Sequence, residues 1–236
     1  MSTSREHVNA VEMIGRLGQT PELKRSEDGT PYVRLSIATS ERFTDRAGEI
    51  KERTEWHNGV AWGKTAEEIG QQFQKGDSVA LAGSLRINSY EKDGAKNRVT
   101  EVSVAEVRKN LDNAPSKNET RLVGVVREDP RVREVADGRA MTVVSLATKS
   151  TVNGREREDW HSVTLWGKTA EAAREIKAGD TIAVNGSLRH RTIGDEGKER
   201  KLSAIECQKF QVLERAQEHA VAPQIRRAGK AVDRDM

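Results

Sequence analysis

The chain has 236 residues, of which 35% are hydrophobic and 33% charged, and its formal net charge is only +3. That length suits one large domain or two of about 100–150 residues, and 40 basic against 37 acidic side chains exclude a histone-like polycation. Any nucleic-acid site must therefore be a local groove or face. Cys207 is the only cysteine, which excludes an intrachain disulfide and a multi-cysteine metal site.

The first residues, MSTSREHVNAVEMIG, carry no signal-peptide pattern. No apolar run approaches the roughly 20 residues that span a bilayer. Together with the single cysteine, these features predict a cytoplasmic protein without membrane contact.

The first half of the chain predicts three strands, one helix and two further strands. Val33, Leu35 and Ile37 alternate with polar residues, which is typical of a half-buried strand. The segment TAEEIGQQFQ at 65–74 predicts a short amphipathic helix, because its two large apolar residues are four positions apart. The stretches DSVALAGSLRI and VTEVSVAEVR then predict two strands joined by a glycine-containing hairpin. This order is that of an OB barrel.

The second half repeats the first. LSIATS at 35–40 returns as VSLATK at 144–149, EWHNGVAWGKTAEE at 55–68 as DWHSVTLWGKTAEA at 159–172, and KGDSVALAGSLR at 75–86 as AGDTIAVNGSLR at 178–189. We therefore predict a mainly β protein of two tandem five-stranded OB-fold barrels, each with one short helix between strands 3 and 4. The predicted boundaries are 1–110 and 119–214 for the barrels, 111–118 for a linker and 215–236 for a flexible tail.

The tryptophans indicate what the barrels bind. Trp160, Ser162, Thr164 and Trp166 share one face of a predicted strand, and Trp56 and Trp62 repeat that spacing in the first copy. Two large aromatics separated by hydroxyl residues favour an exposed surface that stacks on flat partners such as nucleic-acid bases. The alternative is that these rings pack against the other barrel or a partner subunit.

Two catalytic interpretations are weak. The GKT triplets that open both helices have the setting of a phosphate-binding loop, but Asn58 and Ser162 stand where that loop needs another glycine. The EWH and DWH triplets place an acid beside a histidine, yet no nucleophile or second acid matches in both copies. We expect neither enzymatic activity, nor a cofactor, nor a metal site.

The sequence resembles the bacterial single-stranded DNA-binding protein family over residues 8–214. The segments that carry the resemblance are GRLGQTPELK at 15–24, LSIATSERF at 35–43, ERTEWHNGVAWGKTAE at 52–67 and KGDSVALAGSLR at 75–86. It implies base stacking at four places of the fold, which hold Phe43, Trp56, Trp62 and Tyr90 in the first copy. The second copy keeps Trp160 and Trp166 but has Val152 and Ile193 at the other two places.

The resemblance also implies backbone contacts, an interface and an assembly. The basic residues expected to meet phosphates are Arg34, Lys64, Arg86, Lys168, Arg189 and Arg191. His57 and His161 match a position at the subunit interface. Family members with two OB folds per chain pair as dimers, so a homodimer with four OB folds is expected. The family's acidic C-terminal tip with a terminal aromatic is replaced here by GKAVDRDM, so recruitment of replication and repair enzymes is not implied.

The resulting expectation is a nucleoid- or plasmid-associated protein that binds and protects single-stranded DNA during replication, recombination or repair, with little sequence preference. Two alternatives remain open at this point. One is an OB-fold scaffold for protein partners in a replication or recombination complex. The other is an RNA-binding OB protein, because stacking alone does not distinguish the two sugars.

Overall fold

The structure, a computed structural model, describes residues 6–45, 47–92, 95–110, 114–136, 138–152, 154–193 and 200–216. Side chains are described throughout these ranges except at 90–97, 193, 200 and 201. Most of the predicted tail, residues 217–236, lies outside the described residues.

Each half of the chain forms a barrel from five long strands, one short strand and one helix. The elements of the first are β1 (Val8–Leu17), β2 (Lys24–Arg25), β3 (Pro31–Thr44), β4 (Ile50–Trp62), α1 (Gly63–Gln72), β5 (Ser78–Lys92) and β6 (Ala95–Lys109). The elements of the second are β7 (Lys117–Val126), β8 (Arg133–Glu134), β9 (Ala140–Val152), β10 (Arg155–Trp166), α2 (Gly167–Ala172), β11 (Thr181–Ile193) and β12 (Arg200–Glu214), with a 3-10 turn over Ala173–Glu175 after α2.

The long strands close into rings. In the first barrel, β1 pairs with β3 and β5, β3 with β4, and β5 with β6, all antiparallel. A short parallel pairing of β4 with β6 completes the ring. The second barrel closes in the same way through β7, β9, β10, β12 and β11. The prediction of two five-stranded barrels is therefore confirmed.

The core of each barrel comes from the inward positions of its strands and one face of its helix. Val33, Leu35 and Ile37 are buried, as their alternation predicted. The first helix begins two residues before the predicted start and ends two before the predicted end. Gly63 opens it with a φ of +59°, a backbone conformation that favours glycine. Phe73 lies just beyond the helix and is still buried in the core.

The two barrels are joined edge to edge into one sheet. Strand β1 pairs antiparallel with β7, from Val8 opposite Val123 to Ile14 opposite Lys117. The contacts on the two sides of this seam are equivalent under an approximate two-fold. The Ser40 N–H donates to the Ser116 hydroxyl (2.8 Å), and at the matching place the Lys149 N–H donates to His7 Nδ1 (2.9 Å).

Candidate nucleic-acid interface

Strand β4 presents the two tryptophans of the first barrel to solvent. Trp56 and Trp62 are each 49% exposed, whereas His57 and Ala61 on the opposite face are buried in the protein. The alternation arises because successive side chains of a strand point to opposite sides. The prediction that these rings lie on an exposed face agrees with this placement.

Small and aromatic neighbours hold the two indoles in position. A Cβ atom on Gly18 would lie 2.3 Å from the Trp56 ring, so the glycine makes room for that indole. The Tyr32 and Trp62 rings have centroids 5.1 Å apart with planes tilted by 33°. Phe43 is partly exposed on β3, and the Arg53 guanidinium lies 5.6 Å from its ring centroid. Three of the four predicted platforms of this barrel thus show an accessible ring.

The fourth predicted platform of the first barrel is Tyr90. Tyr90 lies on β5 with its backbone opposite Asn97, but its side chain lies outside the described residues. The same holds for Ile193, its counterpart in the second barrel. Val152, the counterpart of Phe43, is exposed on β9.

A groove of about 630 Å³ runs beside Trp62, and both barrels contribute to it. Tyr32, Arg34 and Trp62 line it from the first barrel, and Val152 and Arg157 line it from the second. Since Arg157 comes from the hairpin of β9 and β10, the second barrel adds a basic residue to the groove of the first. The repeat did not reveal this contribution, because it depends on how the barrels face each other.

The tryptophans of the second barrel have a different environment. Both Trp160 and Trp166 are partly buried. The Arg127 guanidinium lies 4.7 Å from the Trp160 ring centroid, and those of Arg139 and Arg191 lie 4.9 and 5.4 Å from that of Trp166. Sequence reasoning missed Arg127 and Arg139, because the first repeat has no basic residue at either position.

Four of the six basic residues predicted to meet phosphates lie at the surface. Arg34 has 67% of its side chain exposed and pairs with Glu101 at 3.3 Å. Lys64 is highly exposed, with Glu68 at 3.8 Å on the same helix. Lys168 and Arg191 are exposed on the second barrel.

The other two, Arg86 and Arg189, lie in the seam between the barrels. Arg86 donates to the buried Asp159 carboxylate at 3.1 Å and to the Ser150 hydroxyl. Arg189 is only 8% exposed, with Glu55 at 3.8 Å and Glu41 as a hydrogen-bonded partner. This placement corrects the sequence expectation: both arginines are engaged by carboxylates of the opposite barrel and are not presented to a backbone phosphate.

The two predicted interface histidines also lie at this seam, within a single chain. His57 Nδ1 is 3.2 Å from His190 Nε2 of the second barrel, and His57 Nε2 is 2.9 Å from the Thr39 hydroxyl. His161 Nε2 is 2.8 Å from the Thr148 hydroxyl. Burial lowers the pKa of His161 to about 4, with Arg86 acting in the same direction and Asp159 opposing.

Neither a metal centre nor a membrane helix occurs in the part of the chain that the structure describes. No three His, Cys, Asp or Glu side chains there are grouped to hold an ion. No helix in those ranges has the length and apolar character to cross a bilayer.

Comparison with known proteins identifies the family of the chain. The sequence model of the single-strand binding protein family matches twice, at residues 8–109 and 117–213. The chain belongs to this family.

Individual relatives and solved structures agree. The single-stranded DNA-binding protein of Thermus aquaticus is 29% identical over 197 residues, which are 77% of this chain and 75% of that protein. Single-stranded DNA-binding protein 1 of Chlorobaculum tepidum is 42% identical over 97 residues, 40% of this chain and 60% of the relative. The crystal structure of the wild-type Thermus aquaticus protein superposes with a TM-score of 0.75 at 26% identity, covering 92% of this chain and 98% of that one. The crystal structure of a deletion mutant of that protein superposes with a TM-score of 0.76 at 26% identity, covering 91% of this chain and 98% of that one.

Proposed function

We propose that this protein binds single-stranded DNA with little sequence preference, by stacking bases on exposed aromatic rings and by pairing phosphates with basic side chains. The observation that carries the proposal is the pair of half-exposed indoles on β4, Trp56 and Trp62. Every base has a π-face, so stacking is tolerant of sequence and contributes about 1–3 kcal/mol per base. The relatives named above are single-stranded DNA-binding proteins, which supports the same substrate here.

The proposed stacking set keeps the six aromatics predicted from the sequence. Phe43, Trp56, Trp62 and Tyr90 serve the first barrel, and Trp160 and Trp166 serve the second. The proposed phosphate set keeps Arg34, Lys64, Lys168 and Arg191, which are exposed. Arg157 lines the groove beside Trp62 but donates to the buried Asp159 carboxylate at 3.0 Å, as Arg86 does at 3.1 Å, so it is not added to the set.

The domain division, the assembly and the biological setting are part of the same proposal. Residues 1–110 and 119–214 form the two domains, 111–118 link them and 215–236 form a flexible tail. Two chains pair into a homodimer with four OB folds, as the resemblance implies. The protein acts in the cytoplasm, without enzymatic activity of its own, by covering single strands during replication, recombination or repair.

Titration of intrinsic tryptophan fluorescence tests the binding mode. Poly(dT) should quench the emission strongly, because the platforms themselves are tryptophans. A duplex of the same length should leave it nearly unchanged, since its bases are stacked within the helix. Equal affinity for duplex and single strand would refute the proposal, and tighter binding of poly(rU) than of poly(dT) would assign the stacking face to RNA.

A further inference from the structure

Two imidazole rings meet across the seam on one side of its approximate two-fold. His57 Nδ1 lies 3.2 Å from His190 Nε2, and the ring centroids are 5.2 Å apart. On the other side His161 takes the place of His57, and the strand registers put Ile87 at the place of His190. His161 Nδ1 is buried there and has no hydrogen-bond partner among the described residues.

The pair of His57 and His190 can hold one added proton but not two. His57 Nε2 lies 2.9 Å from the Thr39 hydroxyl, and His190 Nδ1 lies 2.8 Å from the Ser203 hydroxyl. A hydroxyl group both donates and accepts, so these outer nitrogens stay bonded with or without a proton. One nitrogen of the inner contact must remain unprotonated, because two N–H groups cannot bond to each other.

The charged groups around this pair leave an excess of negative charge. Ion pairs link them into one network, whose members are Glu41 of β3, Arg53 and Glu55 of β4, Arg189 of β11 and Glu206 of β12. Three carboxylates thus face two guanidinium groups. The network reaches the pair directly, since Glu55 Oε2 accepts from the His190 N–H at 3.3 Å. Strand β7 contributes the uncharged Asn118, whose side-chain nitrogen is 3.5 Å from His57 Nε2.

Two of these carboxylates have no acidic counterpart on the other side of the seam. Ser150 lies opposite Arg157 at the place where Glu41 lies opposite Arg53. In the same way, the place of Glu206 in the β11–β12 pairing corresponds to that of Ser103 in the β5–β6 pairing. The substitution of serine for glutamate removes two negative charges from that side.

The charge on that side is therefore positive. Asp159, the counterpart of Glu55, accepts from Arg86 at 3.1 Å and from Arg157 at 3.0 Å, so one carboxylate faces two guanidinium groups. Glu101 lies opposite Arg86 in the β5–β6 pairing, but it is paired with Arg34 at 3.3 Å, and this ion pair adds no net charge.

His161 shows the effect of these surroundings. Burial lowers the pKa of His161 to about 4, and Asp159 opposes this whereas Arg86 adds to it. A nearby opposite charge favours the ionised form of a group, and a like charge disfavours it. The network around His57 has the opposite excess of charge, and His190 supplies the hydrogen bond that His161 Nδ1 lacks.

We propose that the His57–His190 pair is a proton-binding site, which takes up a single proton between the two barrels. The proton belongs to the pair, as is usual when two titrating groups interact strongly. It offsets the excess negative charge of the network and preserves the hydrogen bonds to Thr39 and Ser203. A second proton breaks the His57–His190 contact, so this side of the seam responds to acid through a contact that the other side lacks. The proposal does not depend on DNA binding.

The test follows the imidazole Hε1 resonances of the full-length protein, labelled with carbon-13 at histidine, from about pH 5 to about pH 8.5. His57 and His190 should shift together with one midpoint and a total uptake of one proton, whereas His161 should stay largely neutral. Separate midpoints with full protonation of both rings, or no shift of either, would overturn the proposal. Spectra of the wild-type protein suffice for this decision even if a variant does not fold.

Three variants test why the site binds a proton. His190→Ile gives this side the residue of the other and should abolish the His57 shift. Ile87→His adds an imidazole to the other side but should leave His161 neutral, because the arginines there disfavour a further positive charge. Glu206→Gln removes one negative charge, so the shared midpoint should move to lower pH by about half a pH unit or more. A His57 shift that survives His190→Ile, protonation of His161 in Ile87→His, or a midpoint that Glu206→Gln leaves in place would each contradict the inference.

Discussion

At the scale of single residues, Gly18 determines how Trp56 is displayed. A methyl group on Gly18 would overlap the indole, because its carbon would lie 2.3 Å from the nearest ring atom. Since Trp56 is half-exposed, its ring can turn outward without disturbing the core. Gly18→Ala should therefore weaken dT binding by about tenfold, as expected from losing roughly 1–3 kcal/mol of one stacking platform.

The melting temperature distinguishes this effect from a loss of folding. Gly18→Ala should melt within a few degrees of wild type, whereas its affinity for dT falls. Unchanged affinity would show that the Trp56 ring position does not matter for binding. Trp56→Ala provides a further comparison. The double variant Gly18→Ala with Trp56→Ala should bind dT no more weakly than Trp56→Ala alone.

His161 makes the stability of the chain depend on pH. Burial lowers its pKa to about 4, and the ordinary value is near 6.5, so the unfolded chain takes up a proton before the folded one does. The stabilisation that the neutral His161 provides is fully present above pH 6.5 and is lost as the pH falls through 4. Over that range the free energy of unfolding should fall by about 3 kcal/mol.

Chemical denaturation at several pH values checks this expectation. His161→Gln removes the titrating group, so the difference in unfolding free energy between wild type and variant should shrink as pH falls from 7 to 4. Parallel curves of unfolding free energy against pH for wild type and His161→Gln would contradict the assignment.

The residue patterns predicted the exposed tryptophans but not the partners of the arginines. Strand alternation is a local property, so the exposed position of Trp56 and Trp62 follows from the sequence. The pairing of Arg86 with Asp159 spans the two barrels and depends on how they dock. For that reason the sequence alone suggested phosphate contacts for Arg86 and Arg189, and the structure places them in the seam.

At the scale of elements, the hairpin of β9 and β10 anchors the second barrel to the first. Asp159 accepts hydrogen bonds from Arg86, Arg157 and the Ile87 N–H, at 3.0–3.2 Å. Burial works to raise the pKa of Asp159, but these donors outweigh it and hold the pKa below its ordinary value. Asp159→Asn would leave two guanidinium groups without their counter-ion.

The expected cost of Asp159→Asn is on the order of 3 kcal/mol of unfolding free energy, because removing one partner of a buried ion pair leaves the other uncompensated. Glu49→Gln is the matched control, since its pairing with Lys51 is largely exposed and should contribute less than about 1 kcal/mol. Equal effects of the two substitutions in urea denaturation would show that the hairpin contact does not stabilise the chain.

The order of the strands and helices could be predicted from the sequence, but the residues at which the helices end could not. Repeated blocks of sequence predicted three strands, a helix and two strands in each half, and the structure confirms this order. The first helix, expected over 65–74, spans Gly63–Gln72, and the second ends at Ala172 and continues as a 3-10 turn. Periodicity marks the buried positions of a helix but not the residue at which its hydrogen bonding changes.

At the scale of the whole molecule, the seam holds the two barrels of the chain together. The β1–β7 pairing and the seam contacts around it follow an approximate two-fold, as expected of two copies of one domain facing each other. This arrangement could not be predicted from either repeat, because the β1–β7 pairing joins residues far apart in the chain and no local pattern of the sequence records it.

The proposed homodimer predicts a mass in solution of twice the 26.2 kDa of one chain. Sedimentation velocity at micromolar concentration, with and without a dT oligonucleotide, measures it. A dimer in both conditions supports an assembly of four OB folds. A species of single-chain mass at that concentration would contradict the assembly without affecting the proposed stacking sites.

The central claim, that exposed indoles of the first barrel bind single-stranded DNA, is tested most directly by two double variants and one oligonucleotide. Affinity for dT is measured at high salt, where phosphate contacts contribute least. Trp56→Ala with Trp62→Ala should weaken binding by at least about 30-fold, since two platforms contribute about 2–6 kcal/mol. Trp160→Ala with Trp166→Ala should weaken it less. Binding by the first variant at wild-type affinity, with melting unchanged, would contradict the account.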